Sequence, residues 1–319
     1  MTNLNYENHL KDKNLDIKKE YLASLNKSKF DSKNGESLED RYKRYIKTTG
    51  TLKDVFKDYS LEDIVLVKTD SLKDIVADIE YKISKITEKK KKNLYQKVKD
   101  LFKYENKFQG DVITPFFTDN FNFRTCFYCN KDFITNFEKQ KGVYTSTFQL
   151  DHFYDKGTYP YLALSFCNLI PSCATCNSRK VKGSVNMINT ITPNSEDFKF
   201  HEKVKFKLYL DKNCKDLHVK DKDDIDISLK EQFSKEYKKY IEVFKLNERY
   251  KAHKDIVYEM IEKAELYPDS RLKELQDITG IPYQQIKKDI FNLIEEDEDL
   301  SKKPFSKLIK DISEELGLV

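Results

Sequence analysis

Four of the six cysteines fall in two pairs of identical spacing, Cys126-Phe-Tyr-Cys129 and Cys173-Ala-Thr-Cys176. A chain that uses cysteine this way has few ways to fold. Two intervening residues let both thiolates of a pair reach one tetrahedral ion, and four thiolates close its shell, which marks a structural rather than a catalytic zinc. The N-terminus, MTNLNYENHLKDK, lacks the apolar core of a secretory signal. No run of about 18 apolar residues exists that would cross a membrane. A soluble, cytoplasmic protein is therefore expected, and structural disulfides do not persist in that compartment. The alternatives, a redox-active pair or four merely buried thiols, predict no metal. Cys167 and Cys214 have no partner at ligand spacing and read as ordinary core or surface thiols.

Composition narrows the class further. With 39% hydrophobic residues, 20 Tyr and 21 Phe among 319, the chain can bury one sizeable core plus a smaller unit and is too aromatic for a solvated coil. Lys and Arg number 58 against 54 acids, a net charge of +4, and only six of the basic residues are arginine. Together with 8 Gly and no Trp, that lysine excess reads as an AT-rich coding bias, so lysine abundance alone says little about nucleic acid. Position says more. Between Phe121 and Ser184 eight basic residues face four acidic ones, so the whole excess coincides with the segment that holds both cysteine pairs.

The pattern along the chain predicts an α+β protein, mostly helical, in three parts: a helical region 1–115, a central core 116–190, and a mainly helical region 191–319. Ser37-Leu-Glu-Asp, Ser60-Leu-Glu-Asp and Ser71-Leu-Lys-Asp each place a hydroxyl at an N-cap with an acid three residues on. Leu72, Ile75, Val76, Ile79, Ile83 and Ile86 form a helical stripe. The run Lys89 to Lys92 reads as a solvated face or a phosphate-contacting patch. Thr114-Pro115 is expected to end the helical region, before an aromatic cluster of Phe116, Phe117, Phe121 and Phe123. Strands are expected at Phe133 to Phe137 and Tyr144 to Leu150, joined around Lys141-Gly142, and near 203–210, where Val204, Phe206, Leu208 and Leu210 alternate. Helix is expected after about residue 226, with Phe233, Tyr237, Ile241, Phe244, Ile256 and Met260 on its core face. Leu272 to Thr279, Gly280-Ile-Pro282 and Tyr283 to Ile294 have a helix-turn-helix rhythm. Its second helix, with Gln284, Gln285, Lys287 and Lys288, suits a major groove, although such pairs also serve as plain packing units.

The 43 residues between the cysteine pairs are too many for a simple zinc ribbon, so something is built into the loop. It contains Leu150-Asp151-His152-Phe153, reached by a predicted strand. A polar return, Asn168-Leu-Ile-Pro-Ser172, leads into the second pair, which is followed by Asn177-Ser-Arg-Lys180.

The order C-x-x-C, D-H, N-L, C-x-x-C-N-x-x-K over Cys126 to Gly183 resembles the HNH endonuclease motif with flanking zinc knuckles. The resemblance implies a ββα-metal unit, two strands and a helix around one catalytic divalent ion, built around a four-cysteine zinc site. It gives Asp151 the place of a metal ligand and His152 that of the general base. Asn168 matches the residue bracing the loop that holds the histidine, and Asn177 the second metal ligand. Asn168 also reads as a plain turn residue. Arg179, Lys180 and Lys182, just after the second pair, are the expected nucleic-acid contacts. Phosphodiester hydrolysis needs a base near the working pH and a cation on the phosphate. One carboxylate with one amide oxygen suits Mg²⁺ or Mn²⁺. A third ligand often follows four residues after the Asn177 position, but Val181 stands there; Asp155 can substitute, or can stabilise a turn.

Asp151-His-Phe-Tyr-Asp-Lys156, Tyr159-Pro-Tyr-Leu-Ala-Leu164 and Phe244-Lys-Leu-Asn-Glu-Arg-Tyr-Lys-Ala-His-Lys254 look like HNH proteins of bacterial anti-phage defence, including the Septu type. That likeness implies an ATPase partner from the same locus, since no phosphate-binding Gly-rich loop occurs in this chain. The expectation is a metal-dependent endonuclease acting on DNA in antiviral defence. The alternatives are a toxin-like nuclease cutting RNA or transfer RNA, and a zinc-stabilised nucleic-acid-binding module without activity.

Overall fold

The computed structural model describes residues 1–30, 35–48, 50–141, 143–211 and 219–319, so Gly142, Cys214 and His218 lie outside the described residues. About 52% of the chain is helical, and the described strands form three two-stranded antiparallel sheets, a mixed α+β architecture. The chain divides into two compact units: Leu4–Phe123 with Ile134–Phe198, and Met1–Asn3 with Arg124–Phe133 and Lys199–Val319. The first unit runs through residue 115, where the sequence pattern places a boundary. The reason is aromatic packing. Tyr21 of the helix Ile17–Lys27 packs on Phe116 and Phe166 with centroids 5.2 Å away, and Phe117 stacks on Phe166 at 5.4 Å.

In this first unit the capping boxes at Ser37 and Ser60 form, each hydroxyl accepting from the backbone N–H three residues on. Ser71 instead lies in a 3-10 turn and makes no side-chain cap. The stripe from Leu72 buries Leu72, Val76, Ile79 and Ile83 on one face of the helix Leu72–Ser84. The helix Glu88–Phe102 exposes Lys89, Lys90 and Lys92. It ends at a left-handed Lys103, and a π-helical segment, Tyr104–Ile113, follows directly. Thr114-Pro115 does not stop it. Pro115 sits in the first turn of the helix Thr114–Asn120, where a missing N–H leaves no intrahelical bond unmade.

The expected strand pair is shifted and split. β1, Asn136–Gln140, pairs with β2, Val143–Ser146, while Gln149–His152 forms β3 and pairs instead with β4, Leu169–Ser172. The break falls at Thr147, whose N–H and hydroxyl bind Thr135, and at Phe148, buried edge-on against Phe123 at 5.7 Å.

In the second unit β5, Val204–Leu210, lies where the alternation predicts a strand. Its partner β6, Ile225–Glu231, occupies residues expected to be helical, because Ile225, Ile227 and Leu229 alternate and bury one face. Helices follow at Lys238–Val243, Leu246–Tyr250 and Lys254–Leu266, interrupted by a left-handed Lys245. Tyr237, Phe244 and Met260 are buried as expected, but Phe233 is fully exposed in the loop after β6 with φ of 63°. Asp269–Thr279 and Tyr283–Phe291 form the anticipated helix pair around a left-handed Gly280. The last helix, Ser306–Glu315, covers β5: Asp311 accepts from Phe206 N–H at 2.8 Å and is paired with a buried Lys307 at 2.6 Å. Among the described residues no helix is long and apolar enough to cross a membrane.

Candidate active site and metal centre

Each cysteine pair is shaped by its own turn. Asn130, at a left-handed φ of 53°, closes the first, donating its N–H to Cys126 O at 2.8 Å, while Cys126 N–H reaches Asp132 O at 3.0 Å. Tyr250 Oη donates to Cys129 O at 2.6 Å. Cys173 caps the one-turn helix Ala174–Asn177, and Cys176 N–H points at Cys173 Sγ from 3.4 Å. None of the four is disulfide-bonded. All four are buried, and their Sγ atoms lie within 4.8 Å of one another. A tetrahedral ion with metal–sulfur bonds of about 2.3 Å has sulfur–sulfur edges of about 3.8 Å, so the cluster can hold one metal ion such as zinc. Cys167, by contrast, is a buried thiol whose pKa is raised by desolvation.

Asp151 and His152 close β3, opposite Ile170 and Leu169 of β4, and alternation sends their side chains to opposite faces. The imidazole is buried edge-on against Tyr104, with centroids 4.6 Å apart. Its Nε2 lies 2.9 Å from Ala163 O. A carbonyl only accepts, so Nε2 carries the hydrogen and the lone pair of the neutral ring is on Nδ1. Burial pushes the imidazole down to about 4, Lys156 and Lys182 add to the fall, and the Ala163 hydrogen bond opposes it. At neutral pH the ring is uncharged.

Asn168 ties the loop that supplies Ala163. Fully buried, it accepts from Tyr154 N–H at 2.8 Å through Oδ1 and donates from Nδ2 to Tyr154 O at 3.0 Å and Leu162 O at 3.3 Å. Its own carbonyl takes Phe153 N–H at 2.9 Å. The residues just after His152 in sequence and the residue preceding Ala163 are thus fixed by one side chain and its backbone. Asp155 serves its local turn: Oδ2 accepts from Thr158 N–H at 2.8 Å and Thr158 Oγ1 at 3.0 Å, over a Gly157 where a Cβ would lie only 2.9 Å from that oxygen.

No family model, curated protein or solved structure matches this chain.

The remaining candidates are placed unequally. Arg179 and Lys180 are exposed in the turn after the one-turn helix. Lys182, expected beside them as a phosphate contact, is 1% exposed. Its Nζ lies 3.0 Å from Asp151 Oδ2 and 3.2 Å from Oδ1, and donates to His152 O at 2.7 Å. A phosphate outside cannot reach that ammonium while it stays there. Asn177 is half-buried and donates to Gln149 Oε1 at 3.0 Å. Gln149 precedes Asp151 by two residues, so Asn177 is joined to the face of β3 that carries Asp151. The two candidate donors for a hard cation differ: the carboxylate faces an ammonium, whereas the Asn177 amide is engaged only through its Nδ2. A divalent ion therefore does not fit at Asp151 without displacing Lys182.

Two contributors carry no linear signal. Tyr104 reaches His152 from the π-helical segment, and Ala163 acts through its backbone carbonyl. Ala163 also lines a cavity of about 420 Å³ with Gln96, Lys99, Lys103, Tyr104 and Lys156. Lys156 is paired there with Glu105 and lies over the Tyr104 ring.

Proposed function

We propose that the protein is an HNH-type endonuclease that hydrolyses phosphodiester bonds, with DNA as the substrate, and that its four-cysteine cluster holds a structural zinc. The observation that carries this reading is the held imidazole: His152 sits next to Asp151 on a two-stranded hairpin, with Nε2 fixed to Ala163 and the loop braced by Asn168. In that tautomer Nδ1 is the base, taking a proton from a water that attacks phosphorus. Arg179 and Lys180, exposed and without an acid at ion-pair distance among the described residues, would neutralise backbone phosphates. The Mg²⁺ or Mn²⁺ that the motif implies would supply charge stabilisation at the phosphate, but the arrangement as it stands does not accommodate it.

The small charge excess limits intrinsic affinity, so a partner, an ATPase from the same locus, is assigned the role of delivering or releasing the nuclease in antiviral defence. Purified protein incubated with Mg²⁺ or Mn²⁺ and plasmid, single-stranded DNA and total RNA, with and without that partner, tests the assignment. His152→Ala is expected to lower cleavage by about a hundred- to ten-thousand-fold, the usual loss of a general base, while binding persists. Wild-type cleavage by His152→Ala would refute the site. Degradation of RNA alone would move the substrate to the toxin-like reading, and binding without cleavage would leave a zinc-stabilised module.

A further inference from the structure

The helix Glu88–Phe102 carries six lysines against Glu88 and Asp100, so its 15 residues hold a charge of +4, as much as the whole chain. One face of it is spent on packing, with Leu94, Val98, Leu101 and Phe102 buried. On the opposite face Lys89, Lys92, Gln96 and Lys99 are all exposed, and their spacing alternates between three and four residues, which lines them up in one stripe. Lys103, exposed at the left-handed C-cap, continues the line. At a rise of 1.5 Å per residue the stripe is about 20 Å long. Elsewhere in this unit lysines are matched: Lys82 meets Asp58 and Asp78 at 2.8 Å, and Lys43 meets Glu39 at 3.1 Å. Among the described residues none of Lys89, Lys92, Lys99 and Lys103 has an acid at ion-pair distance.

The stripe ends at the cavity of about 420 Å³, which Gln96, Lys99 and Lys103 line. Tyr104 and Ala163 line the same cavity, and they are the two residues that hold the imidazole: the Tyr104 ring packs on it and Ala163 O fixes Nε2. Three acids also border the cavity, and each is engaged. Asp100 accepts from Gln96 Nε2 at 3.0 Å, Glu105 is paired with Lys156, and Asp155 holds the turn at Thr158. The negative end of the helix dipole, about half a charge, is outweighed by Lys99 and Lys103. We propose that this helix face is a track for a nucleic-acid backbone, on which Lys89, Lys92, Lys99 and Lys103 bind phosphates along one DNA strand and lead it to the cavity beside His152. The use of the cavity rests on the nuclease reading; the binding does not. With one phosphate per 3.4 Å of a duplex strand, about six phosphates lie along such a stripe, so four lysines find partners without a fixed register. Continuity with the residues that hold His152 favours a nucleic acid here over an acidic protein surface.

Fluorescence anisotropy of labelled single-stranded and duplex DNA with the full-length protein, over a range of salt and without added divalent ion, tests the track. One variant combines Lys89→Gln, Lys92→Gln, Lys99→Gln and Lys103→Asn, the last because Asn tolerates the φ of 44° at that position. It is expected to bind about tenfold or more weakly than wild type and to reduce the slope of log affinity against log salt by about 3. A control variant, Lys18→Gln with Lys53→Gln, Lys57→Gln and Lys73→Gln, removes the same charge from other exposed faces of this unit and should keep most of the affinity and slope. All eight side chains are exposed, so both variants should fold as wild type does, checked by circular dichroism. Equal losses in the two variants, or no salt-dependent binding by wild type, would overturn the track and leave the nuclease reading to its own cleavage test. Full DNA affinity in the track variant with loss of a protein partner would overturn it in favour of a protein-docking face. A loss confined to the track variant, in a protein that cleaves nothing, would uphold the track and overturn the nuclease reading.

Discussion

Asn168→Ala removes the one side chain that holds both ends of the loop around His152. Three buried backbone groups lose a partner: Tyr154 N–H, Tyr154 O and Leu162 O. An unmet buried polar group costs about 1–3 kcal/mol, and the two carbonyls stand at the low end because each keeps a second lone pair for other donors. The sum is about 3 kcal/mol, which for a unit of this size lowers Tm by roughly 6–12 °C. Activity should suffer separately. With Leu162 released, Ala163 O no longer sits at a fixed point, and the Nε2 hydrogen bond that sets the tautomer is lost for part of the time. Misplacement of a catalytic group by about 1 Å costs on the order of a hundredfold, so kcat should fall ten- to hundredfold on folded protein with KM nearly unchanged. Thermal unfolding by circular dichroism and cleavage assays well below the new Tm separate the two effects. Asn168→Asp should be worse, since it keeps the acceptor for Tyr154 N–H but turns a buried carboxylate toward two carbonyls. An Asn168→Ala variant within about 0.5 kcal/mol of wild type and with its full kcat would show that this side chain neither braces the loop nor orients His152.

Cys173→Ser removes one of four clustered thiolates, so elemental analysis should find the metal content reduced and unfolding shifted to lower temperature, whereas His152→Ala keeps the metal; a metal-free wild-type protein would contradict this. Asp311→Asn strands the buried Lys307 ammonium and should cost about 3–5 kcal/mol at neutral pH. Burial already pushes Lys307 down to about 8 from a usual 10.5 with Asp311 present, so the variant's folded chain holds its proton less tightly than its unfolded chain and stability is regained as pH rises through that interval; a loss that is flat with pH would be inconsistent. Arg179→Ala with Lys180→Ala should weaken nucleic-acid binding and reduce the slope of log affinity against log salt by about 2, and an unchanged slope would place the phosphate contacts elsewhere.

The cysteine pairs are the most legible part of the chain, because thiolate spacing encodes geometry directly and needs no knowledge of the rest of the fold. Helices with a stripe and a cap, such as Leu72–Ser84, are also readable, as is β5 from its alternation. The failures have local causes. β6 is hidden by its polar alternate residues, and Ile225, Ile227 and Leu229 become a strand only because β5 is there to pair. The run Tyr144 to Leu150 looks continuous because nothing in its composition marks the Thr147–Thr135 contact that divides it. Pro115 punctuates a helix start as readily as a helix end. At the site, Asp151, His152 and Asn168 are visible as a pattern, but their partners are not. Ala163 contributes a backbone carbonyl, Tyr104 arrives from a distant helix, and Lys182 looks in sequence like one more cation of a basic tail.

Lys182 also shows why charge counting along a sequence misleads near a buried acid. A basic residue beside Arg179 and Lys180 adds to a surface patch only if its ammonium stays in water, and the decision is made by the nearest buried carboxylate. Asp151 cannot be left uncompensated in a hairpin whose neighbours Phe153, Leu169 and Ile170 are all buried. Taking both ions out of water costs several kcal/mol each, and their attraction returns roughly that amount, so the pair adds little net stability over an apolar pair of similar volume. Packing alone therefore gives no reason to keep a charge at position 151. What the pair does provide is position: one ammonium holds the Asp151 carboxylate and the His152 carbonyl together, next to an imidazole whose tautomer is fixed by Ala163 O.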